Sequence, residues 1–215
     1  MLVEFHCHTS YSPDSLASPE RILEACRKKG IQRLVITDHN TIQGALAAAK
    51  LDLELVIVGE EIMTTQGELL AAFVREEVPA GLDPEEAIRR LKAQEAFISV
   101  SHPFDRMRHG HWLPADLERI APQVDAIEVF NSRVILPWYN WQAAAFARGH
   151  GLCGTAGSDA HVPGEVGGAL VELEPFANAA ELRQALQKAQ YRLRLAPPWV
   201  HFYSRYAKAR KRLAD

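Results

Sequence analysis

Short apolar segments recur along this sequence, and five of them end in residues of the kinds that bind metal ions. The first runs from Leu2 into His6-Cys7-His8, and four later segments end in Asp38-His39, Glu60-Glu61, Ser101-His102 and Asp159-Ala160-His161. If the segments are parallel strands, their carboxyl ends meet on one face of a closed barrel, whereas in an open sheet only the strands near a switch point converge. The pattern therefore predicts an α/β barrel with a metal site at the carboxyl ends of its strands.

The segments between the strands have the start signals of helices. Ser18-Pro19 and Asp83-Pro84 each place an N-cap residue before a proline at the first helical position. Regular alternation of strand and helix predicts a mainly parallel sheet, and seven strands in the ring would account for the number of segments. The turn at 64–68 is local and leaves open an antiparallel pair there.

The first segment also indicates which side chains face the interior. In a strand, His6 and His8 point to one face while Cys7 points to the other, so both imidazoles reach a single ion. Glu4 shares the face of the histidines. A buried, unpaired carboxylate would be destabilising, so Glu4 is expected to have a basic or hydrogen-bonding partner.

Length and composition exclude several classes of protein. The chain has 215 residues and 47% hydrophobic residues, and no apolar run approaches the roughly 20 residues that span a bilayer. Because the histidine pair begins at residue 6, we expect no cleaved secretory signal. Three cysteines without a Cys-x-x-Cys pair are typical of free thiols in a reducing compartment. We therefore expect a cytoplasmic protein without a membrane partner, and the net charge of −3 disfavours a surface built wholly for nucleic acid.

The tail is expected to be a separate element. We expect a barrel domain over residues 1–196 and a basic helix over residues 197–215. Its aromatic and apolar residues recur at near-helical spacing: Trp199, Phe202, Tyr203, Tyr206 and Leu213. This spacing favours an amphipathic helix docked on the barrel, with a nucleic-acid-binding tail as the alternative.

Seven motifs together resemble those of a known superfamily. They are, in chain order, His6-Cys7-His8, Ser12-Pro13-Asp14, Ile36-Thr37-Asp38-His39-Asn40, Gly59-Glu60-Glu61-Ile62, Ser101-His102-Pro103-Phe104, Ile127-Glu128-Val129-Phe130-Asn131 and Gly157-Ser158-Asp159-Ala160-His161. Over residues 3–175 the chain resembles the PHP (polymerase and histidinol phosphatase) superfamily, and within it the small stand-alone metal-dependent phosphoesterases. The resemblance implies a distorted (β/α)7 barrel, two or three metal ions and hydrolysis of a phosphate ester.

The resemblance also implies which residues hold the ions. The first ion would take His6, His8, Glu61 and Asp159. Glu61 would bridge to a second ion bound by His102, and a third would be held by Asp14, His39 and His161. Glu61, His102 and Asp159 would be the catalytic residues, with a metal-bound hydroxide as nucleophile. Asn131 stands where some relatives have a further histidine, and the helical insertion of some relatives is reduced, because 40 residues separate Glu61 from His102. Short loops alone are therefore expected to cover the metal face.

The chemistry of these residue types agrees with that reading. Imidazoles and carboxylates without a thiolate suit Zn²⁺, Mn²⁺ or Fe²⁺. Two ions about 3.5–4 Å apart that share a carboxylate lower the pKa of a bound water and clamp the oxygens of an in-line displacement. The sequence has neither a Gly-x-Ser-x-Gly elbow nor a P-loop, so serine-hydrolase and nucleotide-triphosphatase chemistry is not supported.

Several side chains near the motifs have two readings each. Arg106 and Arg133 are expected in loops on the metal face, where with Asn131 they would contact a phosphate, or they are ordinary surface arginines. Asp38 either orients a ligand imidazole or caps the next helix. Glu60 either faces solvent or supports a ligand.

The function predicted from these features is that of a metal-dependent phosphoesterase. Its substrate would be a small phosphorylated metabolite, a nucleotide or an oligonucleotide end. Two alternatives stay open at this point. One is another metal-dependent hydrolase on the same barrel, acting for example on amides. The other is a catalytically idle, metal-containing module that binds a phosphorylated ligand or a partner protein.

Overall fold

The structure is a computed structural model that describes residues 1–213; the last two residues of the predicted tail helix lie outside them. Its strands are β1 (Leu2–Glu4), β2 (Arg33–Ile36), β3 (Val56–Met63), β4 (Glu68–Ala72), β5 (Phe97–Val100), β6 (Ala126–Asn131), β7 (Cys153–Gly157), β8 (Ala169–Glu172) and β9 (Gln190–Leu193). Its helices are α1 (Pro19–Lys28), α2 (Gln43–Ala49), α3 (Pro84–Ala93), α4 (Pro114–Ile120), α5 (Trp138–Gly149), α6 (Ala179–Ala185) and α7 (Val200–Arg212).

The strands form one sheet that nearly closes on itself. Their order is β7-β6-β5-β4-β3-β2-β1-β8-β9. Beyond the strand ends, Cys7 pairs in parallel with Ala160, and the His8 amide donates to the Ala160 carbonyl at 2.8 Å. This bridge brings the end of β1 against the end of β7. The predicted α/β barrel is therefore confirmed, although a count of seven βα units is not established by this sheet.

The expectation of a mainly parallel sheet is wrong. Among residues 1–213, four strand pairings are parallel and four are antiparallel. The turn at 64–67 is too short for a crossover helix, so β3 and β4 form an antiparallel hairpin, as the local pattern had left open. The Thr64 hydroxyl closes this turn by donating to the Gly67 carbonyl at 2.6 Å. The second departure is β8, which follows β7 without a helix and runs antiparallel to β1.

Regular strand alternation ends earlier than the sequence predicts. Phe5 packs with Phe97 in the core that the curved sheet encloses, with ring centroids 6.5 Å apart. Cys7 instead packs with Ile22 and Ile36 in the layer between sheet and helices. Because β1 ends at Glu4, the chain is irregular between these two positions and does not keep them on one face. His6 and His8 still converge, as described below.

Both helix starts marked by prolines are confirmed. Pro19 and Pro84 occupy the first turns of α1 and α3. Asp83 caps α3, because its side chain accepts a hydrogen bond from the Glu85 amide at 3.1 Å. Ser18 precedes α1 but its side chain makes no capping hydrogen bond.

The tail forms α7, which lies against the barrel while most of the surface of its aromatic side chains is exposed. Val200 and Ala207 are buried, whereas Phe202 is 70% exposed and Tyr206 59% exposed. The expected packing of the aromatic residues on the barrel is therefore wrong. Within residues 1–213, no helix has the length and apolar character needed to cross a membrane.

Candidate metal centre

Four side chains from three parts of the sheet bring their donor atoms together at the carboxyl ends of the strands. The Nε2 atoms of His6 and His8 are 3.1 Å apart. Both lie near Glu61 Oε2, at 3.3 and 3.4 Å, and near Asp159 Oδ1, at 3.7 and 3.3 Å. Four tetrahedral ligands with bonds of about 2.0–2.2 Å have donor atoms roughly 3.3–3.6 Å apart. The distances from each imidazole to the other three donor atoms are therefore close to those of a metal site.

The second oxygen of Glu61 faces another group. Glu61 Oε1 lies 3.2 Å from His102 Nε2, which is also 3.4 Å from Glu68 Oε2. Glu68 Oε1 lies 3.7 Å from His39 Nδ1. Sequence reasoning missed Glu68, whose one signal is a single carboxylate at the start of an otherwise apolar strand. Its position follows from the hairpin, which pairs Glu68 with Met63 at the carboxyl end of β3.

A third group lies at the edge of the first. Asp14 Oδ2 is 3.5 Å from His39 Nε2, and Asp14 Oδ1 is 3.3 Å from His161 Nε2. The loop that carries Asp14 is held in place because the Ser15 hydroxyl donates to the His161 carbonyl at 2.8 Å. All eight predicted ligands are thus brought into one connected cluster, and their roles as ligands stay a prediction.

Buried atoms without hydrogen bonds mark where cations would bind. Asp14 Oδ1, Glu61 Oε2, Asp159 Oδ1 and His102 Nε2 are buried and make no hydrogen bond. Buried polar atoms in proteins are almost always paired, since desolvation without a partner is destabilising. Each of these atoms lies 3.2–3.3 Å from another candidate ligand atom, so divalent ions would satisfy them. The donor set therefore fits the ions that the sequence predicts.

The charges of the cluster favour the metal-binding forms of Glu61, Asp159 and His8. Burial opposes ionisation, yet His6 and His39 hold the pKa of Glu61 well below its usual value, and Arg108 and His6 do the same for the pKa of Asp159. Burial, together with the neighbouring histidines, lowers the pKa of His8 to about 4. Near neutral pH the carboxylates are ionised and His8 is neutral, which are the forms that bind metals.

His6 and His39 differ from His8, and although burial lowers the pKa of His6, the carboxylates of Glu61 and Asp159 raise it well above its usual value. Burial lowers the pKa of His39, but the carboxylates of Glu61 and Asp14 have the larger effect and raise it to about 10. An ion that binds His39 must therefore displace a proton from it.

Hydrogen bonds on the outer side of the cluster orient its imidazoles. His6 Nδ1 lies 2.9 Å from Glu128 Oε1, and His8 Nδ1 lies 2.9 Å from Ser12 Oγ. The Ser12 hydroxyl donates to Asp38 at 2.9 Å. Of its two readings, Asp38 therefore follows the first, since it supports His8 through Ser12. Such outer partners fix the ring orientation of metal-binding histidines.

Asn131 and Gly157 shape the space around His6. The Asn131 amide donates to Glu128 at 3.1 Å and to Asp159 at 3.2 Å, so it holds two carboxylates in place. A Cβ atom at Gly157 would lie 2.2 Å from the Cβ of His6, which leaves no room for any other residue there. The predicted contact between Asn131 and a substrate stays a prediction.

Three residues in or beside the cluster have strained backbones. Asn40, His102 and Asp159 have φ angles of 54°, 20° and 53°. Positive φ is uncommon for residues other than glycine and persists where the surrounding structure enforces it, often at functional sites. Two of the three are predicted ligands, and the third directly follows His39.

The two other glutamates of the motifs have structural partners. Glu60 is fully buried, and its carboxylate accepts a hydrogen bond from the Val78 amide at 3.0 Å, so the solvent-facing reading is wrong. Glu4 accepts hydrogen bonds from the amides of Ser158 at 2.8 Å and Gly167 at 3.0 Å. The expected hydrogen-bonding partner of Glu4 is therefore confirmed.

The arginines near the cluster differ in burial and in their contacts with the candidate ligands. Arg106 is exposed, whereas Arg133 is buried and contacts His161. Sequence reasoning missed Arg108, whose Nη1 lies 2.6 Å from Asp159 Oδ2. Nothing in the sequence separates Arg108 from Arg106, because both lie in the loop after the His102-Pro103 motif. The predicted substrate contacts of Arg106 and Arg133 stay predictions.

A cavity of about 380 Å³ opens onto the cluster. Its lining includes Arg108 and Arg133 and four residues of α7: His201, Ser204, Arg205 and Lys208. Lys208 Nζ lies 3.3 Å from Asp14 Oδ2. The expectation that short loops alone cover the metal face is therefore wrong, because α7 forms one wall of the cavity.

Comparisons with protein families match most of the chain. The family model described as the PHP domain matches residues 4–106, and the one described as PHP-associated matches residues 137–191. An uncharacterized protein of Methanocaldococcus jannaschii is 39% identical over 146 residues, which cover 61% of this chain and 82% of that protein. A second uncharacterized protein of the same organism is 36% identical over 176 residues, covering 80% of this chain and 70% of its relative.

Solved structures share the fold at low sequence identity. A Bacteroides vulgatus two-domain protein with a predicted PHP-like metal-dependent phosphoesterase has a TM-score of 0.74 and 19% identity over 90% of this chain, which spans 65% of that longer chain. PsfC from Pseudomonas syringae has a TM-score of 0.72 and 18% identity, covering 97% of this chain and 98% of its own. A lesion-specific endonuclease from Pyrococcus furiosus has a TM-score of 0.57 and 15% identity, covering 92% and 60%.

Proposed function

We propose, from the premise that this chain belongs to the PHP family, that it is a metal-dependent phosphoesterase. The observation that carries the proposal is the set of four donor atoms from His6, His8, Glu61 and Asp159, in which each imidazole Nε2 lies 3.1–3.7 Å from the other three atoms. Two further groups of candidate ligands adjoin this set. A phosphate ester is the substrate class that such a multinuclear cluster suits.

The proposed ligands divide between three neighbouring positions. His6, His8, Glu61 and Asp159 would hold one ion, and Glu61 and Glu68 with His102 a second. Asp14, His39 and His161 would hold a third. Divalent ions bound there would act as Lewis acids on the phosphate and activate water for attack.

Cationic side chains near the cluster support a phosphate as the group that enters. Arg108 and Lys208 line the cavity, and each contacts a carboxylate of the cluster, Asp159 and Asp14 respectively. Ions that bind these carboxylates would neutralise them and leave the two cations for an anionic substrate. We therefore assign phosphate contacts to Arg108 and Lys208 in addition to the predicted Arg133.

The test is a hydrolysis screen of the purified full chain. Protein loaded with Mn²⁺, Zn²⁺ or Fe²⁺ would be assayed for release of inorganic phosphate from p-nitrophenyl phosphate, mononucleotides and sugar phosphates, and for cleavage of a phosphodiester. We expect metal-dependent release that chelation abolishes. Metal binding without hydrolysis of any ester would contradict the proposal in favour of an idle binding module, and amide hydrolysis alone would favour the other hydrolase.

A further inference from the structure

The outer surface of α7 carries an unusual set of exposed aromatic side chains. Trp199, at its start, is 61% exposed, and Phe202, Tyr203 and Tyr206 are 70%, 56% and 59% exposed. Large apolar side chains grouped on a surface generally mark a binding site. These aromatic residues therefore require an explanation other than packing within the chain.

The same helix is strongly basic. Residues 197–213 contain five lysines and arginines and no acidic residue, although the whole chain has a net charge of −3. Arg205 and Lys208 line the cavity of the metal cluster, and Arg212 lies four residues further along the same side of the helix. Within residues 1–213, Arg205 and Arg212 form no ion pair. An anion that follows this side of α7 would therefore meet cations from the cavity outward.

Contacts at both ends of α7 fix it beside the cluster. Arg133 donates to the Val200 carbonyl at 3.0 Å and to the Ser204 hydroxyl at 2.8 Å. Near the other end, Lys211 donates to the carbonyls of Ser10 and Ser12 in the loop that carries Asp14. The basic side of the helix is thus continuous with the candidate metal centre.

We propose that α7 binds the single-stranded end of a nucleic acid whose terminal phosphate enters the cluster. Phosphates further along the strand pair with Arg205, Lys208 and Arg212, and bases stack on Phe202 and Tyr206. Side chains three or four residues apart on a helix are separated by about 4.5–6 Å along its axis, so successive cations can follow successive phosphates. Basic grooves with aromatic stacking surfaces are typical of proteins that bind single strands. The inference rests on the proposed function for the fate of the terminal phosphate, but not for binding.

Charge selects a polyanion over a second copy of the chain. Two α7 helices packed face to face would bring their cations together without acidic partners, since residues 197–213 have none. A nucleic acid supplies both the negative charge and the planar groups that the two sides of the helix require.

The first test measures binding of a fluorescent oligonucleotide. The probe is an oligothymidylate of about 12 nucleotides with a 5′ phosphorothioate and phosphorothioate linkages that resist cleavage, labelled at its 3′ end and titrated against the metal-loaded protein by fluorescence anisotropy. We expect Phe202→Ala and Tyr206→Ala each to weaken binding roughly fivefold to a hundredfold. Trp141→Ala removes a similarly exposed aromatic side chain from α5 and should leave binding unchanged.

The second test measures the dependence of binding on salt. Removing one phosphate contact should reduce the slope of log Kd against log salt concentration by about 0.7 for a single strand. We expect this change for Arg205→Ala and for Arg212→Ala. Arg89→Ala, an exposed arginine on α3, is the matched control and should leave the slope unchanged.

The outcomes separate this inference from the proposed function. Hydrolysis of small phosphate esters without oligonucleotide binding, or binding that the α7 variants do not affect, would overturn the inference and leave the function standing. Binding that depends on α7 without hydrolysis of any ester would support the inference and overturn the proposed function. A change of oligomeric state in the aromatic variants, or α7-dependent binding to anionic vesicles in place of the oligonucleotide, would replace the nucleic acid with a second copy or a membrane surface.

Discussion

At the scale of single residues, Glu61 has the most connected position in the site. Its Oε1 atom lies 3.2 Å from His102, and its Oε2 atom lies 3.0 Å from His39 as well as near His6 and His8. Glu60, next to it, lies buried on the other side of β3 and bonds the Val78 amide. Two adjacent glutamates of one strand therefore have separate roles, because alternate side chains point to opposite faces.

Replacing the two glutamates should separate these roles. Glu61→Gln removes one negative charge from two of the three groups of ligands, so metal content and phosphatase activity should be lost together. Metal analysis and an activity assay on the same preparation measure this. Glu60→Gln is the matched control and should change neither; a fully active Glu61→Gln enzyme would contradict the assignment.

Glu60 should also make stability depend on pH. Burial raises the pKa of Glu60 from 4.5 to about 8. As the pH rises through this interval, the unfolded chain releases the proton while the folded chain retains it, so the free energy of unfolding falls by about 1.4 kcal/mol per pH unit at most. Glu60→Gln lacks this loss, so its Tm relative to wild type should increase by several degrees between about pH 5 and about pH 8. A constant difference in Tm across this range would refute the prediction.

At the scale of elements, the helix ends depend on local side chains and the tail helix on a long-range contact. Asp83 caps α3 by a hydrogen bond to the Glu85 amide, whereas Ser18 makes no such bond at α1. Arg133, in the loop after β6, bonds Val200 and Ser204 of α7. The first kind of contact is visible in the sequence, and the second is not.

The two caps should differ in their contribution to stability. Asp83→Ala removes the partner of a backbone amide and should lower the free energy of unfolding by about 1 kcal/mol. Ser18→Ala removes no capping bond and should have a smaller effect. Denaturant unfolding of both variants measures the difference, and equal losses would show that the Asp83 bond does not stabilise the helix.

Loss of Arg133 should loosen α7. Arg133→Ala removes two hydrogen bonds between the barrel and the start of the helix, so the amides of α7 should exchange with solvent faster while those of the central strands do not. Hydrogen exchange followed by mass spectrometry resolves the two regions. Arg106→Ala removes an exposed arginine of a nearby loop and should leave α7 unchanged; unaltered exchange in Arg133→Ala would assign the anchoring to other contacts.

At the scale of the whole molecule, the cluster joins segments that are far apart in the sequence. Its candidate ligands come from the end of β1, the loop before α1, the end of β2, strands β3 and β4, and the loops after β5 and β7. Carboxylates inside it repel one another when no cation lies between them, so bound ions would hold these segments together. Metal binding should therefore stabilise the fold as well as the site.

Removal of the ions should lower the unfolding temperature. An ion present at about 100 times its Kd stabilises the folded state by about 2.7 kcal/mol, which corresponds to roughly 5–11 °C for a chain of this size. We expect this loss of Tm on chelation and its recovery when Mn²⁺ or Zn²⁺ is restored, as measured by calorimetry. Glu61→Gln should show a smaller response, and an identical Tm with and without chelator would contradict a metal centre in the barrel.

The sequence by itself predicted the features that depend on neighbours along the chain. The histidine pair, the strand ends and the helix starts at Pro19 and Pro84 follow from local spacing and backbone preferences. The superfamily motifs added the division of the eight candidate ligands into groups, and the structure brings these residues together.

The tertiary structure decided what depends on pairing between distant segments. Glu68 reaches the cluster because the hairpin aligns β4 with β3, and Arg108 rather than Arg106 reaches Asp159 because of how one loop folds. The placement of α7 depends on hydrogen bonds of Arg133 and Lys211 that join residues at least 67 positions apart in the chain. Such contacts leave no periodic pattern in the sequence, since their free energy is gained only when the whole barrel positions both partners.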